Sequence, residues 1–114
     1  MAHYGLVYII RNNTHPANVF KVGMTTRSVE GRIAELNAET SNPGKFEALA
    51  QFPVNNVEAA EAECHRNLSG FGFKKEFFKA ELSEIIEIVR PTTSKYAPNE
   101  KISDAARTKN YENG

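Results

Sequence analysis

Tyr8, Lys21, Arg32 and Glu61 are of types that can carry chemistry. A phenol can take a proton from an attacking water, a guanidinium fork can hold phosphate oxygens, and a carboxylate can hold a divalent cation. Each residue also has a plainer reading. Tyr8 stands inside the apolar run Gly5-Leu6-Val7-Tyr8-Ile9-Ile10. A tyrosine there is ordinarily a core aromatic whose hydroxyl finds one partner, and taken alone Tyr8 reads that way. As a proton acceptor it would need cations nearby to lower its pKa. Lys21 lies in Phe20-Lys21-Val22-Gly23-Met24-Thr25. There it would normally point to solvent, or it would serve as a point charge for phosphate or as an activator of Tyr8 or water.

Helical geometry separates the competing residues. At about 100° per residue, Arg32 falls within the arc set by Val29, Ile33 and Leu36, and Arg27 projects opposite. The later stripe Val57, Ala60, Cys64 and Leu68 includes Glu61 and excludes Glu63. A carboxylate on an apolar stripe costs free energy unless it has a partner, which a divalent cation, a lysine or an arginine can be. His65 follows one turn after Glu61 on the same edge. The plainer alternative is a Glu–His surface pair.

The elements that must position these groups are legible in outline. Leu6 to Ile10 reads as a strand covered on both faces. The Asn12–Asn18 stretch is turn-forming, and Val19 to Met24 is a second strand, giving a long-looped hairpin. Gly23 ends that strand where backbone passes close to another group. Thr25 or Thr26 can cap the next helix. Phe46, Ala48, Ala50, Phe52 and Val54 alternate as a half-buried strand, with Pro53 at its end or on an edge. Asn55 and Glu58 suit a capping pair before a helix over Val57–Leu68. Ser69 to Phe73 reads as a loop holding two aromatics, and Phe77-Phe78 packs back on the sheet. Leu82, Ile85, Ile86 and Val89 mark a last helix stopped by Pro91. The expected organisation is a domain over 1–90 and a polar, flexible tail over 91–114. The order strand, strand, helix, strand, helix, helix gives a small α/β fold. Its sheet is three-stranded and mainly antiparallel, with helices packed on it.

Composition narrows the classes. The 114 residues suffice for one domain with a modest core. There is no apolar run of membrane-spanning length and no signal peptide, so no membrane partner is expected. The single cysteine, Cys64, cannot form an internal disulfide, which suits a reducing, cytoplasmic compartment. His3, His15 and His65 are scattered and offer no zinc-ligand spacing. The formal net charge is zero, with acids concentrated after Glu58. A local basic face is still available from Arg11, Lys21, Arg27 and Arg32, with Lys74 and Lys75 adding to it.

The two strand motifs, the arginine-bearing helix and the helix with Glu61 and His65 together resemble the GIY-YIG nuclease superfamily over about residues 5 to 80. The closest resemblance is to its small phage-associated branch, in which the second motif reads Lys-Ile-Gly or Lys-Val-Gly. Here Lys21 stands where the superfamily usually has its second tyrosine. The resemblance implies a divalent-metal-dependent endonuclease, with DNA the expected substrate. Glu61 would hold Mg²⁺ or Mn²⁺, Tyr8 helped by Lys21 would deprotonate water, and Arg32 would clamp phosphate. His65 would orient Tyr8 or a water, and Arg11, Arg27, Lys74 and Lys75 would contact nucleic acid. Glu76-Phe77-Phe78 resembles a string that closes the family's domain, with Glu76 structural. A domain this small leaves room for a further specificity domain or partner protein. The rival expectation, motivated by Lys21 and the zero net charge, is a noncatalytic DNA-binding or protein-interaction module with the same fold.

Overall fold

The computed structural model describes residues 3–39, 41 and 43–98. Strands β1 (Gly5–Asn12) and β2 (Val19–Thr25) form the expected antiparallel hairpin, followed by helix α1 (Val29–Ala38) and strand β3 (Phe46–Val54). Helix α2 (Val57–Asn67), a 3-10 turn (Ser69–Phe71), strands β4 (Gly72–Lys74) and β5 (Phe77–Lys79), and helix α3 (Leu82–Ser94) complete the order. The sheet is antiparallel and five-stranded, in the order β3-β1-β2-β5-β4.

Its central trio β3-β1-β2 is the three-stranded sheet read from the sequence; β5 and β4 are a correction to it. The sequence reads Ser69 to Phe73 as a loop, with Phe77-Phe78 packing back on the sheet; the packing is as expected, and the pairing of Gly72–Lys74 and Phe77–Lys79 as strands is not. Strands of three residues are too short to show a period of two. They form because β5 pairs with the free edge of β2, Phe20 opposite Phe78 and Lys21 opposite Phe77. Phe78 is then buried in the core. Lys75, in the two-residue turn of this hairpin, holds a left-handed φ of 49°.

Both faces of the sheet are covered, as the continuous apolar run of β1 required. Val7, Ile9, Val22 and Phe78 pack against Val57, Ala60 and Cys64 of α2, Leu68 at its C-cap, and Ile85 and Val89 of α3. Tyr8, Ile10 and Phe46 pack on the other face against Val29 and Leu36 of α1. Each fully buried aliphatic contributes about 1.5–3 kcal/mol. Asn37 ties α1 to β3: its side chain accepts from Phe46 N at 2.7 Å and donates to Phe46 O at 3.3 Å. β3 is an edge strand, which tolerates Pro53.

Helix ends differ from expectation in three places. Ser28, not Thr25 or Thr26, caps α1, accepting from Gly31 N at 3.0 Å; Thr25 Oγ1 accepts from Arg27 N and shapes the approach. Asn56, not Asn55, caps α2, accepting from Ala59 N at 3.2 Å, while Asn55 N donates to Tyr96 O at 2.7 Å. α3 runs through Pro91 to Ser94. Hydroxyls support that last turn: Thr92 bonds Ile88 O at 2.7 Å, Thr93 bonds Val89 O at 2.9 Å and Ser94 bonds Arg90 O at 2.9 Å. Thr92 and Thr93 are buried. The remainder of the expected tail, 99–114, lies outside the described residues.

Candidate active site

β1 and β2 set Tyr8 directly across from Gly23. The tyrosine is 2% exposed, and its ring fills the space a side chain at 23 would need. A Cβ there would stand 2.7 Å from the Tyr8 hydroxyl and 2.8 Å from ring carbons. The close approach expected at Gly23 is therefore with Tyr8 itself. Lys21, opposite Ile10, falls on the same face two pairs along.

The inward arc of α1 carries Arg32 to Tyr8. The guanidinium lies against the phenol, favouring its ionised form, and its other contact is Glu35 Oε1 at 3.3 Å. Arg27 is exposed and bonds Glu35 Oε2 at 2.7 Å. Facing thus separates the two arginines as the sequence indicated.

α2 runs beside the part of β2 that β5 leaves unpaired. His65 Nε2 donates to Val22 O at 2.7 Å, and Val22 N donates to Glu76 O at 3.2 Å. His65 is thereby anchored to backbone, and only its Nδ1 is left to orient another group. One turn earlier, Glu61 is half-buried on the same edge. Its carboxyl makes no hydrogen bond or ion pair among the described residues. Glu63 points away and binds Lys95 and, at 2.7 Å, the hydroxyl of Tyr96.

Electrostatics tie these groups into one cluster and revise two expectations. Burial raises the Tyr8 pKa; Arg32 opposes this, and Glu76 and Glu61 add to it. The expected lowering by cations does not occur, because desolvation and two nearby carboxylates outweigh one guanidinium. Lys21 is also not the cation beside Tyr8. Its ammonium pairs with Glu76 and sits 5.6 Å above the Phe77 ring, since it projects toward the β4–β5 turn. Burial raises the Glu61 pKa as well, with His65 and Lys21 lowering it and Glu76 raising it. Glu76, expected to be structural, thus holds Lys21 and lies within the field of both Tyr8 and Glu61. Its signal in the sequence was its place between Lys75 and two core-directed phenylalanines.

The donor set fits a hydrated Mg²⁺ or Mn²⁺ and no richer metal centre. Among the described residues no group of three His, Cys, Asp or Glu side chains is placed to hold a metal. Magnesium keeps most of its waters and needs only one or two carboxylates, and Glu61 is a half-buried carboxylate without a partner.

The outlying basic residues do not all join this cluster. Arg11 is turned to Glu47, 3.5 Å away. Lys74 and Lys75 are exposed on the β4–β5 hairpin next to Glu76, and Arg27 is exposed at the start of α1.

The chain belongs to the T5orf172 domain family, a phage-associated family whose model matches residues 5–92. That match takes in all five strands, Tyr8, Lys21, Arg32, Glu61, His65 and Glu76. No curated protein and no solved structure matches the chain. Among the described residues no helix is long and apolar enough to cross a membrane.

Proposed function

We propose that this domain is a divalent-metal-dependent endonuclease of the GIY-YIG type, hydrolysing nucleic-acid phosphodiester bonds, with DNA the favoured substrate. The observation that carries the reading is a half-buried, unpartnered Glu61 in one electrostatic cluster with Tyr8, Arg32, Lys21, His65 and Glu76. A structural helix has no use for that carboxylate, and it is costly where it stands. Membership of a phage-associated family agrees with work on nucleic acid.

In this reading Glu61 would hold Mg²⁺ or Mn²⁺, and such an ion would supply positive charge to the phosphate. Arg32 offers its fork to the phosphate and, through Tyr8, is already set on the sheet. Tyr8, once it has lost its own proton to solvent, takes the proton of the attacking water as a phenolate. Its raised pKa makes the phenolate scarce at neutral pH and a strong base once formed. Lys21, held by Glu76, places a positive charge next to Glu61 and the incoming phosphate. His65 fixes α2 against β2 and so fixes Glu61.

One observation favours the noncatalytic alternative: Lys21 replaces the second tyrosine and is engaged by Glu76. The discriminating experiment is incubation of single-stranded, duplex and branched DNA, and RNA, with and without Mg²⁺ or Mn²⁺. Metal-dependent nicking supports the nuclease. Metal-independent binding without nicking supports the module.

A further inference from the structure

Strand β4 is the outer edge of the sheet, and all three of its residues, Gly72, Phe73 and Lys74, are exposed. An aromatic on an open edge strand is an association hazard that proteins ordinarily avoid. Phe73 is nevertheless 44% exposed. It does not stand alone. The His15 ring, from the β1–β2 loop, lies 6.5 Å from it and 4.8 Å edge-on to Phe77. Phe77 in turn lies under Lys21 and packs against the Tyr8 cluster. An aromatic path therefore leads from the phosphate-directed groups out to Phe73.

We propose that Phe73, His15 and Lys74 form a platform on which an unpaired nucleobase of the nucleic-acid substrate stacks beside the scissile phosphate. This rests on the nuclease reading for its substrate and goes beyond it by specifying an unstacked base. The surrounding charge favours such a ligand. The segment Gly72–Lys79 carries Lys74, Lys75 and Lys79 against a single acid, Glu76, which is already paired with Lys21. Aromatic faces flanked by cations suit a polyanion with flat bases. His15 Nδ1 is buried without a partner among the described residues. Burial, and then Lys74, lower the His15 pKa, which favours the neutral imidazole. Bases inside a duplex are already stacked and do not offer their faces, so single strands, loops or flipped nucleotides are the forms selected.

The test is binding of oligonucleotides carrying 2-aminopurine, in both DNA and RNA, to the full chain in EDTA, read by anisotropy and by fluorescence quenching. The platform predicts tighter binding of single strand than of blunt duplex, with quenching of the probe. Phe73→Ala should weaken single-strand binding roughly tenfold. Phe73→Tyr should restore it, and His15→Ala should weaken it less. A Phe73→Ala protein that binds and quenches like wild type overturns the proposal, as does equal affinity for duplex or no binding to nucleic acid. The outcome is separable from catalysis. Metal-dependent cleavage without quenching leaves the nuclease reading standing and removes the platform. Quenching without cleavage under any metal keeps the platform and removes the nuclease.

Discussion

Glu61 is under a strain of solvation that its neighbours on α2 escape. Its folded pKa is raised, so the native state holds the proton more tightly than the unfolded chain does. The stability this gives is fully present below the unfolded value near 4.5 and is lost as pH rises through the folded value. At neutral pH, without metal, Glu61→Gln should therefore melt higher than wild type. The two melting curves should converge below the unfolded pKa. Thermal scans across pH in EDTA check this; a Gln variant less stable at pH 7 would contradict it. The same logic of contact orders the remaining residues. Tyr8 touches Arg32, whereas Lys21 is held by Glu76. Tyr8→Phe and Arg32→Ala should each cut the cleavage rate about 10²-fold or more and be strongly non-additive together. Tyr8→Phe and Lys21→Met should be closer to additive. Rates of the single and double variants decide it, and coupling of Tyr8 to Lys21 rather than to Arg32 would reverse the assignment.

At the scale of elements, the β1–β2 hairpin is the part that permits no latitude. A methyl at position 23 meets the ring of Tyr8, which is locked between the sheet and α1. Gly23→Ala should cost about 1–3 kcal/mol through overpacking. It should also shift the phenol away from Arg32, so that activity falls further than stability does. Denaturant midpoints and initial rates on the same protein measure both, and an unchanged rate would show that Tyr8 has no positioned role. This hairpin was also the most legible part of the sequence, because β1 is long, continuous and apolar. The facing of Arg32 against Arg27, and of Glu61 against Glu63, was legible for the same reason: helical periodicity is a long-range signal. β4 and β5 were not. Their three residues each carry no period, and their existence depends on an edge of β2 that only the folded sheet presents. The caps were misplaced by one to three residues because several Ser, Thr and Asn side chains compete near each helix start. Pro91 did not end α3, since hydroxyls at 92, 93 and 94 bond the carbonyls of its last turn.

On the scale of the whole molecule, a chain of zero formal charge still gathers Lys74, Lys75 and Lys79 on and beside one exposed hairpin. Arg27 and Arg32 at the start of α1 are both paired with Glu35, whereas Lys74 and Lys75 on the β4–β5 hairpin are exposed. Acids on α2 and α3 are mostly tied to partners or open to water. Glu61 and Glu63 show the contrast within one helix: Glu63 is matched to Lys95 and Tyr96 and helps hold α3, and Glu61 faces the cluster with no partner of its own. What the sequence could not reveal was the direction of the Tyr8 shift and the place of Glu76, since both depend on burial and on a turn formed by distant pairing. The most direct test of the central claim is a comparison of Mg²⁺-dependent nicking by wild type, Glu61→Ala and Glu63→Ala, with folding of each confirmed by circular dichroism. The cluster predicts that wild type and Glu63→Ala cut at similar rates and that Glu61→Ala loses cleavage. A dead Glu63→Ala beside an active Glu61→Ala would contradict the site assignment, and three proteins equally inert with metal would contradict the nuclease itself.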